Sequence, residues 1–221
     1  MADTLFVVAP RRLGEALAEE LVELGAAPAR IASAGVELEG SLELAYRICL
    51  WSRIASRVLL RIGGFEIDGP DDLYQGARSL PWEERLGPDG TLAVDCVVAS
   101  GPTPGISNTG FAALRVKDAI VDRFRESVGR RPSVNPRDPD LRVNLLLDRR
   151  RVELRLDLSG ESLHRRGYRT AREARTTAIL GASLGGLTAT FAARERPDVF
   201  GLSAAQSPAY QWQKGAMLDL A

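Results

Sequence analysis

Two cysteines, Cys49 and Cys96, are all that a chain of 221 residues contains, far apart and with no histidine beside them. That excludes a disulfide framework and a cysteine-based zinc site, and it fits a reducing cytoplasm. Histidine is scarcer still. His164 is the sole one, so no mechanism that uses two imidazoles is open to this sequence. Lysine occurs only at 117 and 214, and the remaining basic residues are arginine, whose planar fork suits phosphate and base recognition. A GC-rich genome accounts for that ratio, but not for where the arginines cluster. No apolar run approaches the roughly 20 residues of a membrane span, and Met1-Ala2-Asp3-Thr4 lacks the basic head of a secretion signal. The expectation is a cytoplasmic protein with no membrane partner. No metal-ligand spacing is present, so no bound metal is expected. Hydrophobic residues at 45% and charged residues at 26% exclude wholesale disorder and leave room for two small domains.

The formal net charge is zero, but it is unevenly spread. Residues 1–110 carry 9 basic and 16 acidic side chains, and residues 111–175 carry 17 basic and 10 acidic. A basic third of this kind predicts a polarised field that orients a polyanion onto one end.

Residues 3–68 read as strand, helix, two strands, helix, strand. Leu5–Ala9 is an apolar strand, and Leu13, Leu17, Leu21 and Leu24 give residues 12–25 a helical stripe that Gly25 stops. Ala29–Ser33 and Val36–Glu39 are strands, with Gly35 expected to supply the turn between them. Ser41 caps a second helix whose inner stripe is Leu42, Ala45, Ile48/Cys49, Ser52 and Ala55. Arg57–Ile62 closes the order β-α-β-β-α-β, the ferredoxin-like arrangement. Its acidic surface suits a platform better than a phosphate contact.

Residues 70–170 read differently. A short helix over Leu73–Leu80 precedes an apolar strand over Thr91–Ala99. The Gly/Pro/Ser loop from Ser100 to Gly110 opens into a helix over Phe111–Val128, capped by Asn108 or Thr109. Its stripe is Ala113, Val116, Ile120 and Phe124. Residues 141–158 alternate as a hairpin turning at Asp148–Arg151. The run Leu163-His164-Arg165-Arg166-Gly167-Tyr168-Arg169 follows. Its arginines suit phosphates and Tyr168 suits base stacking, while a plain solvated strand is the other reading. Arg115 and Lys117 lie in the first two turns after the Gly/Pro loop, where exposed helix amides attract phosphate; a plain connection is the other reading there.

Residues 3–169 resemble the N-terminal part of the bacterial THUMP-domain rRNA guanine-N2-methyltransferases, which act on 23S rRNA. The resemblance is carried by Leu42–Ser56 (LELAYRICLWSRIAS), Asp72-Leu73-Tyr74, Val116–Asp122 (VKDAIVD), Asp140–Asn144 (DLRVN), Leu156–Gly160 (LDLSG) and Leu163–Arg169 (LHRRGYR). It implies an α/β (α+β) protein with a ferredoxin-like domain over 1–68 and a THUMP domain over 69–170. It also implies a half-molecule that binds structured RNA, namely 23S rRNA, and presents it to a separate catalytic domain. Arg115, Lys117, Arg165, Arg166 and Arg169 would then contact phosphate or sugar, and Tyr168 would stack. The family's Asp-Pro-x-Cys-Gly-Ser-Gly-Thr loop for S-adenosylmethionine and its Asn-Pro-Pro-Tyr-type catalytic run do not occur here. Cofactor and methyl transfer would require a methyltransferase domain on another polypeptide, and no enzymatic activity is expected of this chain alone.

The tail, 171–221, carries Gly181-Ala182-Ser183-Leu184-Gly185 after a short apolar strand and before a helical stretch, Thr188–Arg194. This is the G-x-S-x-G setting of a nucleophile elbow. Residues 175–212 resemble the nucleophile region of enterochelin-esterase-like α/β-hydrolases, which makes Ser183 the alternative catalytic residue. A serine nucleophile needs a histidine base, and none follows Ser183. The expectation is a hydrolase-like αβ fragment or a loosely packed tail.

Overall fold

The computed structural model describes residues 3–163, 178–182, 184–197, 199–200 and 202–206. The described residues fall into two compact units. One joins the residues up to Leu60 with those from Asp157 onward, and the other spans Arg61–Leu156.

In the first unit the chain runs β1 (Asp3–Val8), α1 (Gly14–Glu23), β2 (Arg30–Ala32), β3 (Gly35–Gly40), α2 (Leu42–Trp51) and into β4 (Arg57–Glu66). The strands lie in the order β2-β3-β1-β4, every neighbour antiparallel, which is the ferredoxin-like βαββαβ sheet. Alternation buries Leu5 and Val7 on the face toward the helices, and α1 adds Leu17 and Leu21 to the same core. The helix ends at Glu23, and Gly25 takes φ 97°, the left-handed geometry of a helix stop. Ser41 caps α2 as read, its Oγ accepting from the Leu44 amide at 3.2 Å. Gly35 corrects the sequence reading. It opens β3 rather than forming the turn, and a Cβ there would stand 2.0 Å from the Val7 carbonyl oxygen. The glycine is needed for close strand approach. The buried set of α2 is also broader than one stripe: Leu44, Ala45, Tyr46, Ile48, Cys49 and Leu50 are all covered.

The cover on the outer side of α2 comes from the tail. Strands β9 (Ala178–Ala182) and β10 (Leu202–Gln206) pair in parallel and are joined through α5 (Leu184–Glu195). Ala189, Ala192, Ile179 and Phe200 form one cluster with Leu50 of α2. The helix is longer at both ends than the sequence reading, which began it at Thr188.

The second unit begins with the remainder of β4, which runs four residues past the expected end. Then follow α3 (Pro70–Ser79), a single 3-10 turn (Trp82–Glu84), β5 (Thr91–Ser100), α4 (Thr109–Val128), β6 (Ser133–Val134), β7 (Leu141–Asp148) and β8 (Arg151–Asp157). Its strands lie in the order β4-β8-β7-β5-β6, with β7 and β8 antiparallel and β5 parallel to both β6 and β7. The hairpin turn holds Arg149 at φ 56°. Leu141, Val143, Leu145 and Leu147 on β7 and Val152, Leu154 and Leu156 on β8 are buried, as their alternation requires. Trp82 is fully buried, its indole N–H donating to the Ala77 carbonyl at 2.7 Å. Helix α4 turns inward through Ala112, Val116, Ile120 and Phe124, so Ala112 takes the place read for Ala113.

Candidate nucleic-acid interface

Helix α4 starts where the Gly/Pro loop predicts. Asn108 Oδ1 accepts from the Phe111 amide at 2.8 Å and satisfies one of the four free amides of the first turn. One and a half turns on, Arg115 points back to α3. Its guanidinium meets Asp71 at 2.6 Å and stacks 4.9 Å from the Tyr74 ring centre. The Arg115 Nε is buried with no hydrogen-bond partner. The Tyr74 hydroxyl donates to Asp122 on α4 at 2.9 Å. Burial and that carboxylate raise the Tyr74 pKa above the usual phenol value. Lys117 is ion-paired with its neighbour Asp118.

Lower on the same helix pair, Arg123 donates to both Glu83 oxygens at 2.9 Å and to the Arg78 carbonyl at 2.9 Å. Ser127 adds a 2.6 Å hydrogen bond to Glu83. Burial opposes the Glu83 charge, yet the Ser127 and Arg123 hydrogen bonds prevail and hold its carboxyl below the ordinary range. Arg78 pairs with Glu126. Arg78, Arg123, Glu126 and Ser127, with Gln75 and Ser79, line an open groove of about 450 Å³.

This arrangement corrects the charge reading. Grouped by fold, residues 61–156 hold 15 basic and 15 acidic side chains, so the second unit is neutral. The acidic residues of 66–95 lie against the arginines of 115–151: Arg115 on Asp71, Arg123 on Glu83, Arg130 on Asp89, Arg142 on Asp95 and Arg150 on Asp68. Arg131, Arg137 and Arg149 are exposed and have no carboxylate partner among the described residues. Of the residues singled out in the sequence, Arg115 and Lys117 share a helix and each meets a carboxylate. Arg165, Arg166, Tyr168, Arg169 and the alternative Ser183 lie outside the described residues. The residues on either side of position 183 are strand and helix. Sequence reasoning missed the Tyr74–Arg115–Asp71 cluster. Asp71 and Tyr74 were visible at the start of a helix, but their partner is over 40 positions away.

Among the described residues, no cluster of His, Cys, Asp or Glu could hold a metal ion, and no helix is long and apolar enough to cross a membrane.

Comparison with known proteins finds three matched segments. Residues 4–59 match the RlmL ferredoxin-like domain, 70–157 the THUMP domain and 163–217 the Esterase family. The ribosomal RNA large subunit methyltransferase K/L of Cellvibrio japonicus is 50% identical over 169 residues, which is 76% of this chain and 22% of that protein. The Syntrophotalea carbinolica protein of the same name is 52% identical over 164 residues, 74% of this chain and 23% of that one. The chain thus spans less than a quarter of the length of these relatives. Among solved structures, TrmN from Thermus thermophilus aligns over 98% of this chain and 70% of its own, with a TM-score of 0.57 at 19% identity. A predicted N6-adenine-specific DNA methylase from Listeria monocytogenes aligns over 86% of this chain and 55% of its own, with a TM-score of 0.66 at 23% identity. Those two likenesses are of fold. The sequence matches, the antiparallel β2-β3-β1-β4 sheet and the unit that follows it point the same way: residues 4–59 and 70–157 resemble the ferredoxin-like and THUMP region of the ribosomal RNA large subunit methyltransferase K/L proteins.

Proposed function

We propose that this chain is an RNA-recognition module that takes structured RNA, namely 23S rRNA, on its THUMP domain, with the ferredoxin-like domain as platform. The supporting observation is the identity of about one half with proteins named as large-subunit rRNA methyltransferases, kept across both domains. Arg165, Arg166 and Arg169 are assigned to phosphate or sugar and Tyr168 to base stacking. Arg115 and Lys117 join them at the start of α4, where an RNA phosphate takes the place of Asp71 and Asp118 as counter-charge. Arg131, Arg137 and Arg149 are exposed guanidinium groups ready for phosphate without such an exchange.

Methyl transfer belongs in this reading to a methyltransferase domain on a separate polypeptide. The groove beside α3 and α4 does not fit S-adenosylmethionine: Arg78 and Arg123 at its edge are ion-paired, and it has no apolar slot for an adenine ring. The protein is assigned to the cytoplasm, where ribosomes are assembled.

Fluorescence anisotropy with transcripts of 23S rRNA segments tests the assignment. Affinity should fall by about 10²-fold or more between 50 and 200 mM salt, because neutralising several phosphates releases counterions. The Arg165→Ala/Arg166→Ala protein should bind at least tenfold more weakly. Binding indifferent to salt and to both changes would overturn the proposal. The esterase alternative predicts p-nitrophenyl ester turnover that vanishes in Ser183→Ala. The expected result is no turnover, since no histidine follows Ser183.

A further inference from the structure

Helix α2 has two apolar faces. One side, with Ala45, Ile48 and Cys49, is the inner stripe read from the sequence. The other carries Tyr46, Leu50 and Trp51, and here α5 lies over it. The Phe191 and Tyr46 rings sit 6.0 Å apart at 40°, Leu50 joins the Ala189, Ala192 and Phe200 cluster, and the Arg196 guanidinium rests 4.6 Å from the Trp51 ring centre. The fit is complete for carbon but not for oxygen. Tyr46 is fully buried and its hydroxyl has no hydrogen-bond partner. A buried hydroxyl is normally satisfied, so an orphaned one marks a face shaped for something else.

Two further observations say what that something is. The segment Leu42–Ser56 lies inside residues 4–59, which match the RlmL ferredoxin-like domain, whereas α5 lies inside residues 163–217, which match the Esterase family. The solved TrmN chain, by contrast, aligns with 98% of this chain, so its fold continues through the place the tail occupies. We propose that the outer face of α2 is a docking surface for the αβ unit that follows a THUMP domain. In this chain the β9–α5–β10 segment fills it as an intramolecular cap. Tyr46 retains a hydroxyl meant for a hydrogen-bond acceptor on the unit that the cap replaces. This inference does not rest on RNA binding, and its test uses no RNA.

The 221-residue chain is digested with thermolysin under native conditions, and cleavage within 178–206 is followed by mass spectrometry. Phe191→Asp puts a charge against Tyr46 and should speed cleavage there at least tenfold, while cleavage within 70–156 stays slow. Trp51→Ala should speed tail cleavage a few-fold, because it removes the ring on which the Arg196 guanidinium rests. Tyr46→Phe should raise the Tm, since it deletes only the unpaired hydroxyl. Unchanged cleavage in Phe191→Asp or in Trp51→Ala would overturn docking on α2. A fall in Tm for Tyr46→Phe would show that the hydroxyl has its partner and would overturn the replacement of an earlier occupant.

Discussion

Glu20 is the residue on which the connection after α2 depends. It is buried, and its carboxylate accepts from the Ser52 hydroxyl at 2.5 Å, the Arg53 amide at 2.8 Å and the Ile54 amide at 3.3 Å. Burial alone would raise its pKa, but these donors outweigh burial and lower it. A lowered folded-state pKa means stability that is present above the unfolded value and lost as pH falls through the folded one. Glu20→Ala strands one hydroxyl and two amides and should cost about 2–3 kcal/mol in a urea titration at pH 7. Glu20→Gln should melt below the wild type at pH 7, with the gap narrowing as the pH drops beneath the ordinary carboxylate range. Gly35→Ala should destabilise by about 2 kcal/mol or more, because the clash is with the Val7 backbone and no side chain can yield. In the sequence Glu20 is the second of two adjacent glutamates, Glu19 and Glu20, ahead of Leu21. That it would face inward became clear only when Ser52 and Arg53, more than 30 positions on, folded against it.

At the scale of elements, local rules carried far. The caps at Ser41 and Asn108, the alternation of 141–158 and the β-α-β-β-α-β succession of elements were all legible, because each depends on residues within a few positions of one another. Asn108→Ala should cost about 1 kcal/mol, read as a lower unfolding midpoint with unchanged slope. The second face of α2 was legible too, but was not read. In Leu42–Trp51 apolar residues occur all round the helix, and a helix of that kind is covered on more than one side. Its inner stripe agreed with a single sheet, and Leu44, Tyr46 and Leu50 were left without a destination. The tail was readable as strand, helix and strand. Its docking was not, since a nucleophile-elbow pattern says nothing about which surface the helix covers.

Over the whole molecule, the charge distribution is where sequence and structure part. A window from 111 to 175 is strongly basic, yet the fold returns acidic residues from the preceding window to those arginines and neutralises the second unit. Apart from Arg115, whose carboxylate partner the RNA phosphate displaces, arginines that are paired should matter to stability, and those left exposed to polyanions. The Arg131→Ala/Arg137→Ala/Arg149→Ala protein is therefore expected to keep its Tm and to lose about two to three units from the slope of log affinity against log salt. Arg142→Ala, which breaks contacts to Asp95 and to the Pro136 carbonyl, should instead lower the Tm and leave that slope unchanged. Equal slopes for both proteins would mean that exposure does not select the phosphate contacts.

Residue order alone determined the two αβ modules, their helix caps, the buried sides of their strands and the family likeness that runs through them. These depend on side-chain periodicity and on short motifs, which hold wherever the chain goes. Tertiary structure decided which guanidinium groups remain open to a polyanion and what lies over the outer side of α2. Both are set by partners far away along the chain, and nothing in a local pattern fixes how far an ion pair or an apolar face must reach to find its match.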